Sequence, residues 1–504
     1  LTMGDQNVFQ AECVVVGGGA AGSAAAYKLA KNGKKVLLME KGKSLLESDF
    51  SRISGFMGCE TSFQKAAGIT VASKKNLYDY LTEWSKGDVN PKLIASLLDH
   101  NAEAVELFSD MGLTYSFYSD WVDSDKKEYY NEDMTWGPLH LINEYGPDRT
   151  DTVTNALREA GVEVLFDCAA TDLVMEDGRV HGVKGLLHGS EPVEVHAKAV
   201  FLATGGFGNN PEMMKDQFNG APLLNLGSHH NTGDGIRMAL AAGAVLEQST
   251  GLCCNEICGA TDCHNGYIFD DEFRMYNDHL GFAIYGGLAV DGEGERFINE
   301  ERMATNPLAT NGIPALSVGR MYVVMDGEYY EGCCTKGIYE YLGRPDWDYG
   351  SHLFVPVLDR AKDQFKQAEE EGWAIRADSL KEIAEKWGLA NLEETVERYN
   401  SLCAAGEDRD FGKASMFLTG IKEGYGYYAF SYVGGFWCTL GGVKTDARLR
   451  ALNAEDQPVP GLYIGGTEMG SAFGRTYYDI AATGSGLAIA SGVIAAEEMV
   501  KYVG

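Results

Sequence analysis

The run Cys13-Val14-Val15-Val16-Gly17-Gly18-Gly19-Ala20-Ala21-Gly22, close to the start of the chain, sets its architecture. The apolar residues before the glycines, mostly β-branched, predict a short buried strand. The glycine-rich turn leads into an alanine-rich segment, residues 23–32, which predicts a helix that ends at Gly33. Residues 35–39 predict a second apolar strand, and Glu40 follows it directly. Strand, glycine turn, helix, strand and acid in this order indicate an open α/β nucleotide-binding sheet.

The glycine spacing G-x-G-x-x-G predicts a dinucleotide site at this turn. Gly17 permits the tight turn, Gly19 lets the backbone approach a pyrophosphate, and Gly22 lets the helix pack closely on the sheet. The helix N-terminus then presents free N–H groups to the phosphates. Glu40, 18 residues after Gly22, is placed to accept hydrogen bonds from ribose hydroxyls. A glycine-rich turn without a ligand is the alternative, and the turn alone does not separate FAD from NAD.

Composition excludes several classes of protein. The 504 residues are enough for two or three domains. Lys and Arg number 42 against 73 Asp and Glu, so the net charge of -31 disfavours nucleic acid and anionic membranes as partners. No apolar stretch predicts a membrane span, and no secretory signal is visible. Eleven scattered cysteines predict reduced thiols, and therefore a cytoplasmic protein.

Two later segments repeat the pattern of a strand that runs into glycines. Residues 197–202 predict a strand that leads into Ala203-Thr204-Gly205-Gly206, and residues 460–464 one that leads into Gly465-Gly466. In an open α/β sheet, glycines at the carboxyl end of a strand lie where ligand binds. The segment Asn231-Thr232-Gly233-Asp234-Gly235 opens a helix, and a final helix is predicted over residues 481–500.

With these motifs in order, the chain resembles the flavoprotein family of soluble fumarate reductases and 3-ketosteroid dehydrogenases. The resemblance spans nearly the whole chain and rests on six short matches: G-G-G-A-A-G at 17–22 with Glu40, A-T-G-G-F at 203–207, T-G-D-G at 232–235, G-E-R-F-I-N-E at 294–300, T-L-G-G at 439–442 and P-G-L-Y at 460–463. It implies FAD. Where some members attach the flavin to a histidine, residues 51–58 read S-R-I-S-G-F-M-G, so we expect non-covalent FAD.

The resemblance implies a mainly α/β fold, a two-dinucleotide-binding-type FAD domain with an inserted α+β substrate-capping domain. We expect the FAD-binding domain over residues 1–250 and 430–504, and the capping domain over residues 251–429. The residues expected to hold FAD are Gly17, Gly19, Ala20, Ala21, Gly22, Glu40, Lys41, Ala203, Thr204, Gly205, Gly206, Asp234, Gly466, Thr483 and Gly484.

The positions where the family's fumarate reductases hold cations are uncharged in this chain. Cys438 stands where the family has a histidine, Ala304 where an arginine donates a proton, and Tyr477 where an arginine clamps the substrate. A pocket without cations would desolvate two carboxylates without compensation. We therefore expect fumarate to be a poor substrate, with Arg302 or Arg475 as a relocated clamp in the alternative of an unsaturated carboxylate.

The segment Gly474-Arg475-Thr476-Tyr477 instead resembles the ketosteroid branch, whose tyrosine donates a hydrogen bond to the substrate carbonyl. That resemblance implies a carbonyl-polarising Tyr477, with the backbone N–H of Ala481 as second donor. The reaction implied is hydride transfer between flavin N5 and a carbon–carbon double bond next to a carbonyl, in a neutral ring compound. Met303 replaces the branch's second tyrosine, which leaves the proton carrier unassigned among the candidates Tyr478, Tyr115, Tyr118, Tyr276 and Tyr285.

Other features point to no separate site. Cys253, Cys254, Cys258 and Cys263 do not follow a standard ligand spacing, so we expect no metal. No second nucleotide motif is present, and an external electron donor or acceptor is therefore needed. Two further alternatives remain: a flavin-containing electron-transfer subunit, which predicts no pocket at Tyr477, and an NAD-dependent dehydrogenase, which predicts a colourless protein.

Overall fold

The structure, a computed structural model, describes residues 7–121, 124–247, 249–254, 256–261, 277–283, 287–305, 312–341 and 360–504. Tyr276, Tyr285 and Cys263, which the sequence analysis singled out, lie outside these residues. None of the helices in the described ranges is both long and apolar enough to cross a membrane.

Strands occur along the whole described chain and alternate with helices. The strands are β1 Val8–Gln10, β2 Cys13–Val16, β3 Val36–Met39, β4 Gly55–Met57, β5 Tyr115–Phe117, β6 Leu139–Ile142, β7 Glu163–Leu165, β8 Cys168–Glu176, β9 Arg179–Leu187, β10 Glu191–His196, β11 Ala199–Leu202, β12 Leu223–Asn225, β13 Gly251–Leu252, β14 Glu256–Gly259, β15 Leu288–Val290, β16 Met321–Asp326, β17 Ala374–Ala377, β18 Tyr427–Phe436, β19 Thr439–Leu440, β20 Arg450–Leu452 and β21 Pro458–Ile464.

The helices of the described residues include α1 and α16, which pack against the nucleotide-binding sheet. They are α1 Ala20–Lys31, α2 Ser62–Ala67, α3 Lys74–Trp84, α4 Pro91–Asp110, α5 Lys127–Glu132, α6 Pro147–Glu159, α7 Pro211–Phe218, α8 Asp234–Ala241, α9 Glu301–Thr305, α10 Ile313–Val318, α11 Gly327–Lys336, α12 Ile338–Tyr341, α13 Ala361–Glu370, α14 Leu380–Trp387, α15 Leu392–Ala405 and α16 Thr483–Val503.

The sheet that carries the glycine motifs has the strand order β20-β21-β11-β2-β3-β7. All its neighbouring strands are parallel except β20, which runs antiparallel to β21. Every residue of β2, β3 and β11 is buried, which explains their unbroken apolar runs. Helix α16 packs against α1 and β11, so the last part of the chain completes the domain begun by the first. The mixed α/β fold is thereby confirmed.

A smaller mixed sheet with the order β1-β10-β9-β8 lies beside this one and contacts it through β9 and β21; its pairs are antiparallel except β1–β10, which is parallel. Strands β8 and β9 form a hairpin around Asp177-Gly178, since they pair antiparallel from Glu176↔Arg179 onward. The first helix begins at Ala20, three residues before the predicted start, because Gly19 already serves as its N-cap.

A third sheet forms the framework of the capping region, with the order β12-β18-β16-β15 and with β14 and β17 also paired to β18. Its strand β12 comes before residue 251, and β18 runs from Tyr427 past residue 430. The sheet therefore includes segments on both sides of the proposed boundaries, and the division into domains stays a prediction.

A buried ion cluster ties the G-E-R-F-I-N-E segment to the loop after α15. The guanidinium of Arg296 lies 2.7 Å from Glu300 and 3.0 Å from Asp408, and the ammonium of Lys413 lies 3.9 Å from Glu300. All of these side chains are buried. The motif thus joins two segments of the capping region, and loss of one partner would leave a buried charge unpaired.

Candidate active site

In the glycine turn after β2, neighbouring backbone atoms leave no space for a side chain at Gly17 or Gly22. Gly17 has a φ of +99°, and a Cβ at this position would lie 2.1 Å from the carbonyl oxygen of Ala203. A Cβ at Gly22 would lie 1.8 Å from the carbonyl oxygen of Gly17. Gly19 differs, because a Cβ there would meet nothing within 4 Å and its backbone borders an open cavity. Since no side chain caps α1, its first N–H groups fit a pyrophosphate.

Glu40 is held at the end of β3 by the backbone around it. Its two carboxyl oxygens accept hydrogen bonds from the N–H groups of Gly18 and Gly42, each at 2.7 Å. Burial raises the pKa of Glu40, and these two hydrogen bonds act in the opposite direction. The carboxyl group also lines the cavity, so its remaining lone pairs fit ribose hydroxyls.

Lys41 is tied to the helix α8 on the far side of the cavity. Its ammonium donates to the hydroxyl of Thr232 at 2.7 Å and to the carboxylate of Asp234 at 2.9 Å. Both Lys41 and Asp234 line the cavity. The pair therefore closes the nucleotide end of the cleft with its charges already compensated.

Thr204 joins the second glycine segment to the C-terminal part of the chain. Its N–H and hydroxyl donate to the two carboxyl oxygens of Glu468 at 2.7 and 2.8 Å. Burial raises the pKa of Glu468 to about 7, against the effect of these hydrogen bonds. The network fixes the wall that Ala203, Thr204 and Gly205 form along the cavity.

Most of the residues expected to hold FAD share this one cavity, which has a volume of about 520 Å³. Three do not line it. Gly22 and Gly206 act by close packing, and the hydroxyl of Thr483 donates to the carbonyl of Ile480 at 2.7 Å. The predicted residues that line it are Gly17, Gly19, Ala20, Ala21, Glu40, Lys41, Ala203, Thr204, Gly205, Asp234, Gly466 and Gly484.

Tyr477 also lines this cavity, and its hydroxyl lies at the N-terminus of α16. Its hydroxyl accepts a hydrogen bond from the N–H of Gly484 at 2.9 Å. Burial raises the pKa of Tyr477 well above its usual value, Cys253 raises it further, and the hydrogen bond from Gly484 lowers it. The phenol is therefore protonated at neutral pH, and its proton is available for donation towards the cavity.

The neighbours of Tyr477 come from two distant strand segments. Leu252 forms a parallel bridge with Thr476, and the N–H of Cys253 donates to the carbonyl of Cys438 at 3.0 Å. Cys253, Cys438 and Tyr477 all line the cavity. Strand pairing thus builds one wall, the Tyr477 wall, from parts of the chain far apart in sequence.

Arg302 and Arg475 do not reach this wall. The side chain of Arg475 is 73% exposed and lies 3.7 Å from Asp88, whereas Arg302 is exposed on the short helix α9. Neither residue lines the cavity. The sequence could not show this, because neighbouring residues of a loop can direct their side chains either to a pocket or to solvent.

Two other predicted groups are already engaged. The N–H of Ala481 donates to the carbonyl of Thr135 at 2.9 Å, so it is not available as a second donor in this arrangement. The hydroxyl of Tyr478 donates to the carbonyl of Ala472 at 3.0 Å, although Tyr478 lines the cavity. Unlike the hydroxyl of Tyr478, the hydroxyl of Tyr477 accepts its hydrogen bond and keeps its own proton for a substrate.

The remaining tyrosine candidates that the structure describes lie outside the cavity. The hydroxyl of Tyr115 donates to the carbonyl of Val105 at 2.7 Å. Tyr118 is buried and stacks on Trp136, with 4.4 Å between ring centroids. Met303 is buried in the capping region.

Glu256 is an acid of the Tyr477 wall that sequence reasoning missed. It is 5% exposed, lines the cavity, and accepts a hydrogen bond from the indole N–H of Trp437 at 3.3 Å. Burial raises the pKa of Glu256 to about 7, and the Trp437 hydrogen bond lowers it. The signal in the sequence that could have indicated this residue is an acid within the otherwise apolar segment E-I-C-G at 256–259.

The same cavity is also lined by four residues that can carry positive charge, Lys41, Arg52, Arg149 and His230. Lys41 is paired with Asp234, and His230 lies 2.9 Å from Glu47. Arg149 donates to the carbonyls of Phe50 and Ile53 at 2.9 and 2.7 Å, and Arg52 lies in the segment before β4. The Tyr477 wall consists of Cys253, Glu256, Trp437, Cys438 and Tyr477, and none of these five residues is Lys, Arg or His.

The thiols near this wall form no metal centre among the described residues. Cys253, Cys254 and Cys258 are buried free cysteines. No group of three or more Cys, His, Asp or Glu side chains in these ranges is arranged to hold a metal ion. The fourth member of the sequence cluster, Cys263, falls outside them.

Comparisons with known proteins agree with this geometry. The profile of the FAD binding domain family matches residues 12–479. A vinyl phenol reductase from Lactiplantibacillus plantarum is 27% identical over 477 residues, 92% of this chain and 91% of the relative. A 3-oxosteroid 1-dehydrogenase from Mycolicibacterium smegmatis is 32% identical over 68% of this chain and 60% of the relative. An NADH:fumarate oxidoreductase from Klebsiella pneumoniae is 26% identical over 92% of this chain but 45% of the relative.

Solved structures share the fold at low sequence identity. The 3-ketosteroid Δ1-dehydrogenase from Sterolibacterium denitrificans has a TM-score of 0.70 at 18% identity, over 98% of this chain and 99% of that one. The open form of a flavocytochrome c3 fumarate reductase has a TM-score of 0.67 at 20% identity, over 98% and 79% of the two chains. The FAD that the family resemblance implied is confirmed, since the matched family is an FAD binding domain. The chain thus belongs to the FAD binding domain family and is an FAD-dependent oxidoreductase of the kind that includes fumarate reductases and ketosteroid dehydrogenases.

Proposed function

We propose that this enzyme reduces or forms a carbon–carbon double bond next to the carbonyl of a neutral, largely apolar ring compound of steroid-like character. The observation that carries the proposal is the position of Tyr477, a protonated phenol at the N-terminus of α16 in a wall without cations. A neutral donor suits an uncharged carbonyl, whereas a dicarboxylate there would lose its hydration without a charged partner.

Tyr477 polarises the substrate carbonyl in this proposal. The N–H of Gly484 donates to its oxygen, which strengthens the phenol as a donor, because hydrogen bonds in a chain polarise one another. As enolate charge develops on the carbonyl oxygen, the hydrogen bond from Tyr477 becomes stronger and lowers the barrier. Bound FAD supplies the hydride acceptor or donor for this chemistry.

The apolar part of the cavity suits a ring system. Trp136, Leu139, Leu141 and Ile142 line it, with Trp121 at its edge. Such surfaces bind through burial of apolar area rather than through charge. The names of two relatives, a vinyl phenol reductase and a 3-oxosteroid 1-dehydrogenase, likewise describe compounds without a carboxylate, which supports this substrate class.

An unsaturated carboxylate is the second candidate, favoured by Arg52 in the cavity lining and by the fumarate reductases among the relatives. Against it, Arg302 and Arg475 do not line the cavity, and Glu256 would repel an anion whenever it is ionised. An electron-transfer subunit is disfavoured by the open cavity at Tyr477.

The test uses the holoenzyme with its flavin reduced anaerobically. Reoxidation is followed after addition of Δ1- or Δ4-3-ketosteroids, vinyl phenol, cinnamates, urocanate or fumarate. The proposal expects rapid reoxidation by at least one neutral compound and slow reoxidation by fumarate. Rapid reoxidation by the carboxylates alone would overturn it and support the second candidate.

A further inference from the structure

The reaction proposed above needs a proton at the α-carbon, and none of the predicted carriers that the structure describes has a hydroxyl placed to supply one. Met303, which replaces the branch's tyrosine, has no acidic proton and does not line the cavity. Tyr477 keeps its proton, since it acts as a hydrogen-bond donor. We propose that Glu256 is the proton carrier, an acid that protonates the α-carbon during reduction and a carboxylate that removes this proton in the reverse direction. The inference rests on the proposed function.

Strand pairing places Glu256 on the Tyr477 wall. Glu256 begins β14 and lies opposite Gly435 of β18, just before Trp437 and Cys438. Cys438 accepts the hydrogen bond from Cys253, which follows the Leu252–Thr476 bridge and adjoins Tyr477. These contacts connect Glu256 to Tyr477 through Trp437, Cys438 and Cys253. All five residues line the same cavity.

The surroundings of Glu256 favour the protonated form of its carboxyl group, and Glu256 still lines the cavity. Glu256 interacts electrostatically with Cys253 and Cys254 on the preceding segment, and Cys258 follows it on β14. Cys438 and Tyr477 are the titratable groups that line the same cavity on the other strand segments of the wall. None of these is a cation, so burial of the carboxyl group is not offset by a counter-charge among the described residues. Its pKa of about 7 lets it give or take a proton at neutral pH, the condition under which acid–base catalysis is efficient.

The step balances with groups already named. The double bond breaks as its β-carbon receives a hydride and its α-carbon receives the proton of Glu256. Two C–H bonds form, the substrate is reduced by two electrons, and Glu256 is left as a carboxylate. The carboxylate then takes a proton from solvent. Oxidation of the substrate reverses each transfer, with Glu256 as the base.

The first test is Glu256→Gln in the holoenzyme, which keeps the shape of the side chain and removes its acidic proton. Single-turnover reoxidation by the neutral substrate should slow by about 100-fold or more. Glu256→Asp, which restores a carboxyl group, should recover part of this loss. A role limited to packing predicts that the Gln variant keeps the rate.

The pH profile gives a second readout. Wild-type reduction requires the acid form, so its rate falls as pH rises through about 7, whereas oxidation requires the carboxylate and rises over the same range. Trp437→Phe removes a hydrogen bond that lowers the pKa of Glu256, so both limbs should move to higher pH. An infrared carboxylic-acid band that disappears above pH 7 in wild type and is missing in Glu256→Gln would report the same proton without turnover.

The outcomes separate the two proposals. If no neutral compound reoxidises the wild-type flavin, the proposed function fails, and the infrared band still tests the protonation of Glu256. If a neutral compound is reduced but Glu256→Gln keeps both the rate and the pH limb, the proton-carrier assignment alone is overturned. If the Gln variant does not retain flavin, the Glu256→Asp and Trp437→Phe variants provide the test. A pH dependence of the rate equal to that of wild type in both variants would overturn the proton-carrier assignment.

Discussion

Tyr477→Phe separates the carbonyl-polarising role from a packing role, because it removes one oxygen and keeps the ring. Loss of a single donor aimed at a developing oxyanion typically slows a reaction by about 100- to 1000-fold, which is ~2.7–4 kcal/mol. The same oxygen accepts the 2.9 Å hydrogen bond from Gly484, and an unsatisfied N–H costs about 1–3 kcal/mol. Since the site borders the cavity, water can replace the oxygen, so we expect a stability loss near the lower limit.

The assay is anaerobic stopped-flow reoxidation of the reduced flavin by the neutral substrate, with urea unfolding measured on the same variants. Tyr115→Phe is the matched control, because its hydroxyl also bonds a backbone group but lies outside the cavity. It should lose about 1 kcal/mol of stability and keep the reoxidation rate. A wild-type rate in Tyr477→Phe, or equal slowing in both variants, would refute the assignment of Tyr477.

Three further outcomes are expected. Gly17→Ala should yield protein without flavin absorbance, because its Cβ would lie 2.1 Å from the carbonyl oxygen of Ala203 in a backbone of positive φ. Denaturation followed by filtration should release all the flavin, since residues 51–58 contain no histidine; retained flavin would contradict non-covalent binding. Burial lowers the pKa of His140 to about 4 from 6.5, so its contribution to stability is complete above pH 6.5 and is lost as pH falls towards 4. That loss is about 3 kcal/mol at most, and His140→Gln should flatten this part of the urea-unfolding profile; an equally steep profile in the variant would contradict it.

The nucleotide half of the molecule was predictable because its signals are local. The run of buried β-branched residues in β2, the positive φ required at Gly17 and the acid at the end of β3 each follow from a few adjacent residues. The turn that faces the pyrophosphate lies within a single β-α-β unit, whose handedness and packing leave little freedom. The family resemblance then extended this prediction to FAD and to the position of Tyr477.

The substrate wall was not predictable in the same way, since it depends on which distant strands pair. Glu256 meets Trp437 across β14 and β18, a separation of 181 residues, and no local pattern encodes that contact. Arg475, two positions from Tyr477, faces solvent, and the N–H of Ala481 is bound to Thr135. Backbone motifs specify a cofactor site because the backbone itself is the ligand, whereas the chemistry of the substrate wall depends on side-chain directions that only packing sets.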